Sequence, residues 1–428
     1  MSKNANWFDL DNAAKMIPST MIGSDTRVFR ITCELKEEVD PVVLQEALDH
    51  TLREFPHFNS RLKKGMFWHY LERSKERPLV EPETKVPLAA IYSPGSRNIM
   101  FRVLYFRKRF HLEVFHALAD GTGGFMFMEH LILHYISLKH QLEIPLEVED
   151  PATVSQRMAD AFSFFYRRDG KKRVKVPMPR WAFHLKGERY PDQRLQLIEA
   201  IVSSKDFLRL ARQYHTTVGV LAVSLLIEAI VKEVPVRKKN LPVVLQIPVN
   251  LRNYFPHNTT RNFFGVMEVA YLPVRYDGTL ESILEPTARS FSLQLDKAEL
   301  EKTMNSYTSV ERNWAARMVP LLLKEWGIHG LYYLHQWGLT SSVSNLGRIR
   351  LPEEAERYIE NISCFMASRD MQICFCTYQE KMTFGCVSAF RRNQVLTNLF
   401  RRMGELGLDV TIISSDYEKE EGPAHAEM

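Results

Sequence analysis

The chain has 428 residues, 45% of them apolar and 25% charged, and a formal net charge of +5. That length exceeds what one hydrophobic core usually fills, so two lobes are expected. The mild positive balance suits an anionic partner, but it is not gathered on one helix or tail as a nucleic-acid footprint would require.

The first residues, Met1 to Asp9, contain no apolar run and no small-residue cleavage site, so no secretory leader is expected and the protein should reside in the cytoplasm. Phe29, Ile31, Cys33 and Leu35 alternate with Arg30, Thr32 and Glu34, which predicts a strand with one apolar face. A helix follows. Asp40 suits its N-cap and Pro41 its first turn, and Val43, Leu44, Ala47, Leu48 and Leu52 make a stripe that ends at Phe55-Pro56. Ile99 to Phe106 and Arg109 to His116, separated by Arg107-Lys108, predict a hairpin. Alternation puts Phe110, Leu112, Val114 and His116 on one face, and Asp120-Gly121-Thr122-Gly123-Gly124 then turns into a helix bearing Phe127, Leu131 and Tyr135.

Residues 167–192, with Lys171, Lys172 and Arg173 and then several prolines, predict a basic linker between an N-terminal lobe (1–166) and a C-terminal lobe (193–415). Beyond it, a strand is expected from Leu195 to Val202, a helix opened by Ser203 with Asp206, and a helix from Thr217. The most apolar window, Val218 to Val231, is too short to span a membrane and carries Glu228, so it is expected to be a core helix rather than a transmembrane segment. Strands are expected at Leu241 to Val249, Phe264 to Leu272, Gln372 to Tyr378 and Thr383 to Phe390, with amphipathic stretches at Leu280 to Leu300 and Glu311 to Lys324. The acidic tail, 416–428, is expected to be disordered. Both halves are thus mixed α/β.

The segment His116-Ala117-Leu118-Ala119-Asp120-Gly121 matches H-x-x-x-D-G, which a chain of this length contains by chance on the order of a few per cent of the time. It follows a strand and precedes a glycine-rich turn. In this context the sequence resembles the CoA-dependent acyltransferase superfamily, which includes chloramphenicol acetyltransferase, peptide-synthetase condensation domains and alcohol acetyltransferases. Pro248-Val249-Asn250-Leu251-Arg252, Asn262-Phe263-Phe264-Gly265 and Ser344-Asn345-Leu346-Gly347 resemble further family landmarks, so the resemblance covers most of the chain. It is most similar to standalone bacterial alcohol acetyltransferase-like proteins.

The resemblance implies two chloramphenicol-acetyltransferase-like α/β lobes forming a pseudo-dimer, with a substrate channel between them and no second subunit required. It implies that acyl-CoA and a small-molecule alcohol enter from opposite faces and meet at His116. Transfer to a hydroxyl needs a base near neutral pH, which imidazole supplies. No G-x-S-x-G elbow suggests a covalent route, so direct transfer with no permanently bound cofactor is expected. By the same resemblance, Asp120 turns from His116 to pair with Arg252, and Gly121 is expected to serve a tight turn. Ser344, Asn345 and the amides around Gly347 are candidate donors to the thioester oxygen. Lys171, Lys172 and Arg173 could meet coenzyme A phosphates, although such runs are commonly just solvated.

Two rivals stand beside this reading: a freestanding condensation enzyme using a carrier-protein thioester and an amine, and a non-catalytic scaffold of the same fold. His130 and His134 have helical i, i+4 spacing but lack the H-E-x-x-H base, so no metal is expected there. Met126 stands where a dinucleotide turn would need its third glycine. Tyr332, Tyr333 and Trp337 are expected to pack in the core, with an acyl tunnel as the alternative. Five cysteines, Cys364, Cys374, Cys376 and Cys386 among them, are expected to be reduced and buried.

Overall fold

The computed structural model describes residues 7–144, 155–167, 181–312 and 318–414. The chain opens with β1 (Trp7–Asp9) and β2 (Val28–Leu35). Helix α1 (Pro41–Glu54) starts as expected: the Asp40 carboxylate accepts from the Val42 and Val43 N–H groups, and Leu44, Ala47 and Leu48 are buried. A hairpin of β3 (Ser60–Lys64) and β4 (His69–Arg73) joins β1 in a small sheet ordered β1-β4-β3. Next come β5 (Val80–Pro82), β6 (Phe101–Phe106) and β7 (Arg109–Phe115), the last two linked by Arg107-Lys108 with Arg107 at φ +51. Positive φ in a two-residue hairpin turn matches the twist of the flanking strands. Helix α2 (Gly121–His140) is capped by Asp120, and α3 (Ala161–Phe165) by Asp160.

The second half begins with β8 (Gln196–Ser203), α4 (Ser204–Gln213) and α5 (Val218–Val231). Ser203 and Thr217 cap the two helices through their side-chain oxygens. Helix α5 is buried along most of its length, and its Glu228 is paired there with the Tyr276 hydroxyl at 2.7 Å and Arg402 at 3.0 Å. Among the described residues, no single helix is long and apolar enough to cross a membrane.

Strands β9 (Val243–Asn250) and β10 (Phe264–Tyr271) follow, then α6 (Glu281–Gln294), α7 (Lys297–Arg312) and α8 (Leu321–Gln336). The amphipathic stretch Leu280 to Leu300 is spanned by parts of two helices. Asp296 breaks it, because its carboxylate takes the Ala298 and Glu299 N–H groups and so starts a new helix. The remainder is β11 (Ser341–Ile349), α9 (Glu353–Glu356), β12 (Ile359–Met366), β13 (Met371–Tyr378), β14 (Lys381–Ser388), α10 (Gln394–Glu405) and β15 (Thr411–Ser414). The expected acidic tail lies outside the described residues.

Two larger sheets result. One is ordered β12-β2-β7-β6-β5 and the other β10-β9-β11-β13-β14-β8-β15, each with its own apolar core. Strand β12 belongs to the first sheet, with Met366 opposite Phe29, although it arises late in the chain. The expected boundary at 167–192 is thus crossed by one strand. A propensity pattern cannot show this, because the partner of an edge strand is not written in its own residues.

The polar face of β2 is buried as well. Arg109 reaches Glu34 at 2.6 Å and Glu199 of the second sheet at 3.0 Å, and the Asn361 amide donates to Glu199 at 2.8 Å. Farther along, Glu113 lies between Arg30 (2.7 Å) and Arg102 (2.6 Å) and accepts from the Leu88 N–H. Burial pushes the Glu113 carboxyl up, but the two guanidinium groups outweigh it and hold it below the usual glutamate range. Its contribution is therefore full above the unfolded glutamate pKa and is lost as pH falls through the lower folded value. Glu113→Ala takes the shared carboxylate from buried Arg30, which keeps Glu83, and from half-buried Arg102, and we expect a loss of roughly 3 kcal/mol, read as a lower denaturant midpoint at unchanged slope.

Candidate active site

His116 stands one residue past the end of β7, where its N–H donates to the Arg27 carbonyl at 2.9 Å. Its ring is flanked edge-on by Phe29 of the first sheet and Phe264 of the second, and it lines a cavity of about 240 Å³ between them. Both lobes build this cavity: Ile31 and Thr122 come from one, Pro248, Val266 and Ser344 from the other.

The protonation of the ring follows from its neighbours. The Nδ1 atom is 2.9 Å from the Asn262 Oδ1, while the Asn262 Nδ2 donates to Asp11 Oδ2 at 3.2 Å. The Asp11 carboxylate only accepts when ionised, so it orients the amide with its oxygen toward His116. That oxygen cannot donate, so Nδ1 carries the hydrogen and Nε2 keeps its lone pair. Burial lowers the imidazole pKa below its usual value, against the opposing pulls of Asp120 and Asn262, and the Arg27 charge adds to the lowering. Burial also pushes the Asp11 carboxyl up to about 6, with Arg261 pulling it the other way. At neutral pH the ring is uncharged and Asp11 is ionised.

Asp120 faces away from the histidine. One oxygen caps α2 by accepting from the Gly123 N–H at 2.8 Å; the other accepts from Arg252 Nη1 and from the Phe263 N–H, each at 2.8 Å. Arg252 also donates to the carbonyls of Thr259 and Arg261. The turn that presents Asn262 is therefore tied to the same arginine.

Other expectations need correction. Gly121, expected to serve a tight turn, is the first residue of α2 and its φ is not positive, and an added Cβ would lie 3.6 Å from Leu346, an ordinary contact. The constrained glycine is Gly123, where a Cβ would fall 1.8 Å from the Thr260 carbonyl oxygen of the other lobe. Ser344 and Asn345 line the cavity, but Gly347, at φ +87 beside a bulge, donates its N–H to Asn345 Oδ1 and is thereby occupied. Lys171, Lys172 and Arg173 lie outside the described residues. Tyr332 lines the cavity with its hydroxyl on Arg27, whereas Tyr333 is exposed and Trp337 stacks on exposed Trp181, so this aromatic group is not core.

All five cysteines are free and buried. Cys374 lines the cavity, and its hydrogen bond with Cys364 together with burial pushes its thiol well above the usual range, so it is a poor nucleophile. His130 and His134 have a partner that their spacing did not reveal. Glu54, at the end of α1, bridges them at 2.5 and 2.8 Å, and the three ligand-capable groups lie within 4.8 Å of one another. Asp11, Arg27 and Glu54 carry no local sequence signal. Asn262 does, standing first in Asn262-Phe263-Phe264-Gly265.

No family model and no curated protein matches this sequence. Solved structures do. The chain superposes on F. graminearum TRI101 complexed with coenzyme A and T-2 mycotoxin, with a TM-score of 0.65 at 10% identity over 95% of this chain and 100% of the other. The chain shares the fold of this acetyltransferase structure. A trichothecene 15-O-acetyltransferase from Fusarium sporotrichioides matches with a TM-score of 0.62 at 10% identity, over 95% of this chain and 96% of that one. The first condensation domain of the calcium-dependent antibiotic synthetase matches with a TM-score of 0.59 at 13% identity, over 94% and 95%. In this chain the fold places an uncharged histidine in the cavity between its lobes.

Because Asp120 joins an α2 cap to Arg252, Asp120→Ala should lower stability by roughly 3–5 kcal/mol. The double variant with Arg252→Ala should lose less than the sum of the two single losses, measured by equilibrium unfolding.

Proposed function

We propose that the protein is an O-acyltransferase that moves an acyl group from a thioester, acyl-CoA, to an alcohol, with His116 as general base. The observation that carries this reading is the Asp11–Asn262–His116 chain, which leaves Nε2 unprotonated on a ring that lines a cavity built by both lobes. The acetyltransferase and coenzyme A complexes among the structures of this fold support the choice of donor and acceptor.

In this mechanism the acceptor hydroxyl gives its proton to Nε2 as its oxygen bonds to the thioester carbonyl carbon. The carbonyl electron pair moves onto oxygen, where the Ser344 hydroxyl and the Asn345 amide group are the proposed donors. Collapse breaks the C–S bond, and the imidazolium returns the proton to the departing sulfur. An ester and a free thiol result. Asp120 and Arg252 hold the loop and take no part in proton transfer.

A condensation reaction, with a carrier-protein thioester and an amine, uses the same base and is the second reading, since a condensation domain shares the fold. A panel of acyl-CoA chain lengths with alcohols and amines, scored by thiol release, separates the two. Transfer from CoA to alcohols is expected. Silence with every acceptor, alongside transfer from a carrier-protein thioester, would favour the second reading.

His116→Ala should abolish acyl transfer while leaving the melting temperature nearly unchanged; equal activity in both proteins would sink the base assignment. Since the His116 pKa is lowered, the acid limb of kcat/KM should fall below the ordinary histidine value of about 6.5. Asn262→Asp places a carboxylate against Nδ1–H, which stabilises the imidazolium, and should move that limb to higher pH.

A further inference from the structure

Helix α8 is mounted with its polar side inward. Leu321 is its only buried residue. Lys324 donates to the Phe67 carbonyl at 3.1 Å, Glu325 pairs with Lys64 at 2.6 Å, His329 Nδ1 meets the Ser19 carbonyl at 3.2 Å, and the Tyr332 hydroxyl meets Arg27. The opposite side carries Leu322, Leu323, Trp326, Tyr333 and Leu334, all exposed, with Trp326 at 85% and Leu322 at 65%. A surface helix of a soluble protein normally shows the reverse arrangement. The turn of the β3–β4 hairpin adds Met66, 75% exposed, and its carbonyl accepts the Leu321 N–H at 2.9 Å, so the two apolar projections are adjacent.

The rim of this face is cationic. Lys15 and Lys324 both lie over the Trp68 ring, and Lys63 and Lys64, which precede the turn, pair with Glu72 and Glu325 respectively. Aliphatic side chains in the centre, tryptophan and tyrosine among them, and lysines at the edge match the polarity profile of an anionic bilayer surface. A two-fold partner copy would bring a second set of the same lysines to that edge, which like-charge repulsion opposes.

We infer that α8 and the β3–β4 turn dock the protein on an anionic lipid surface. The same helix contributes Tyr332 and Gln336 to the lining of the cavity that holds His116. Docking therefore sets that cavity beside the bilayer, and, resting on the acyl-transfer reading, the substrate admitted along α8 is an amphiphile dissolved in the membrane.

The test is co-sedimentation of the full chain with phosphatidylcholine vesicles, with and without phosphatidylglycerol. We expect pelleting with the anionic vesicles that weakens in high salt, and about tenfold or greater loss of binding in Trp326→Glu/Leu322→Glu at unchanged melting temperature. Val236→Glu, at an exposed apolar residue elsewhere, should bind like the parent. A parent protein left in the supernatant, a double variant that pellets equally, or equal binding to neutral vesicles would overturn the inference. So would a parent dimer in solution that the double variant makes monomeric. His116→Ala should still pellet, so failure of the acyltransferase reading and failure of docking are separately visible.

Discussion

The Asp120 carboxylate is the constraint on which the rest of the site depends. Its two oxygens take three donors: the first turn of its own helix, the Arg252 guanidinium and the Phe263 amide. The first belongs to one half of the chain and the other two to the other half. A buried carboxylate is costly unless every acceptor site is used, and here the donors that satisfy it also set the position of the loop. Arg252 extends the same constraint to the carbonyls of Thr259 and Arg261, and so to the turn carrying Asn262.

This arrangement separates holding from chemistry. A carboxylate directly against His116 would stabilise the imidazolium and raise its pKa. A neutral amide from Asn262 fixes the tautomer without supplying that charge, and the Asp11 carboxylate stands one group farther away. Burial can then keep the imidazole uncharged, which is the state a general base needs at neutral pH.

The lobes are joined by more than this site. Strand β12 arises among second-sheet strands and completes the first sheet, while Arg109 and Asn361 converge on Glu199 across the seam. A cavity lined by both sheets needs both to be held in register, and a buried polar seam with matched partners favours one relative arrangement over its neighbours. Helix α8 departs from inward burial, because several of its polar residues meet the protein while most of its large apolar ones meet solvent.

Much was legible from the residues alone. The period-two pattern of Phe29 to Leu35, the caps at Asp40, Ser203 and Thr217, the hairpin turn at Arg107-Lys108 and the H-x-x-x-D-G segment are local signals, because each depends on groups within a few residues. The pairing of Asp120 with Arg252 came from family resemblance rather than from any local pattern. Local reasoning failed where the decisive contact was distant. Asp11 lies some 250 positions from Asn262, Glu54 meets His130 and His134 only because α1 packs on α2, and Gly123 rather than Gly121 is constrained because the Thr260 carbonyl arrives from the other lobe. The sequence by itself determined the elements and singled out His116. Tertiary structure decided which nitrogen of that ring is free, because the tautomer is set by a hydrogen bond between groups that only the packed lobes bring together.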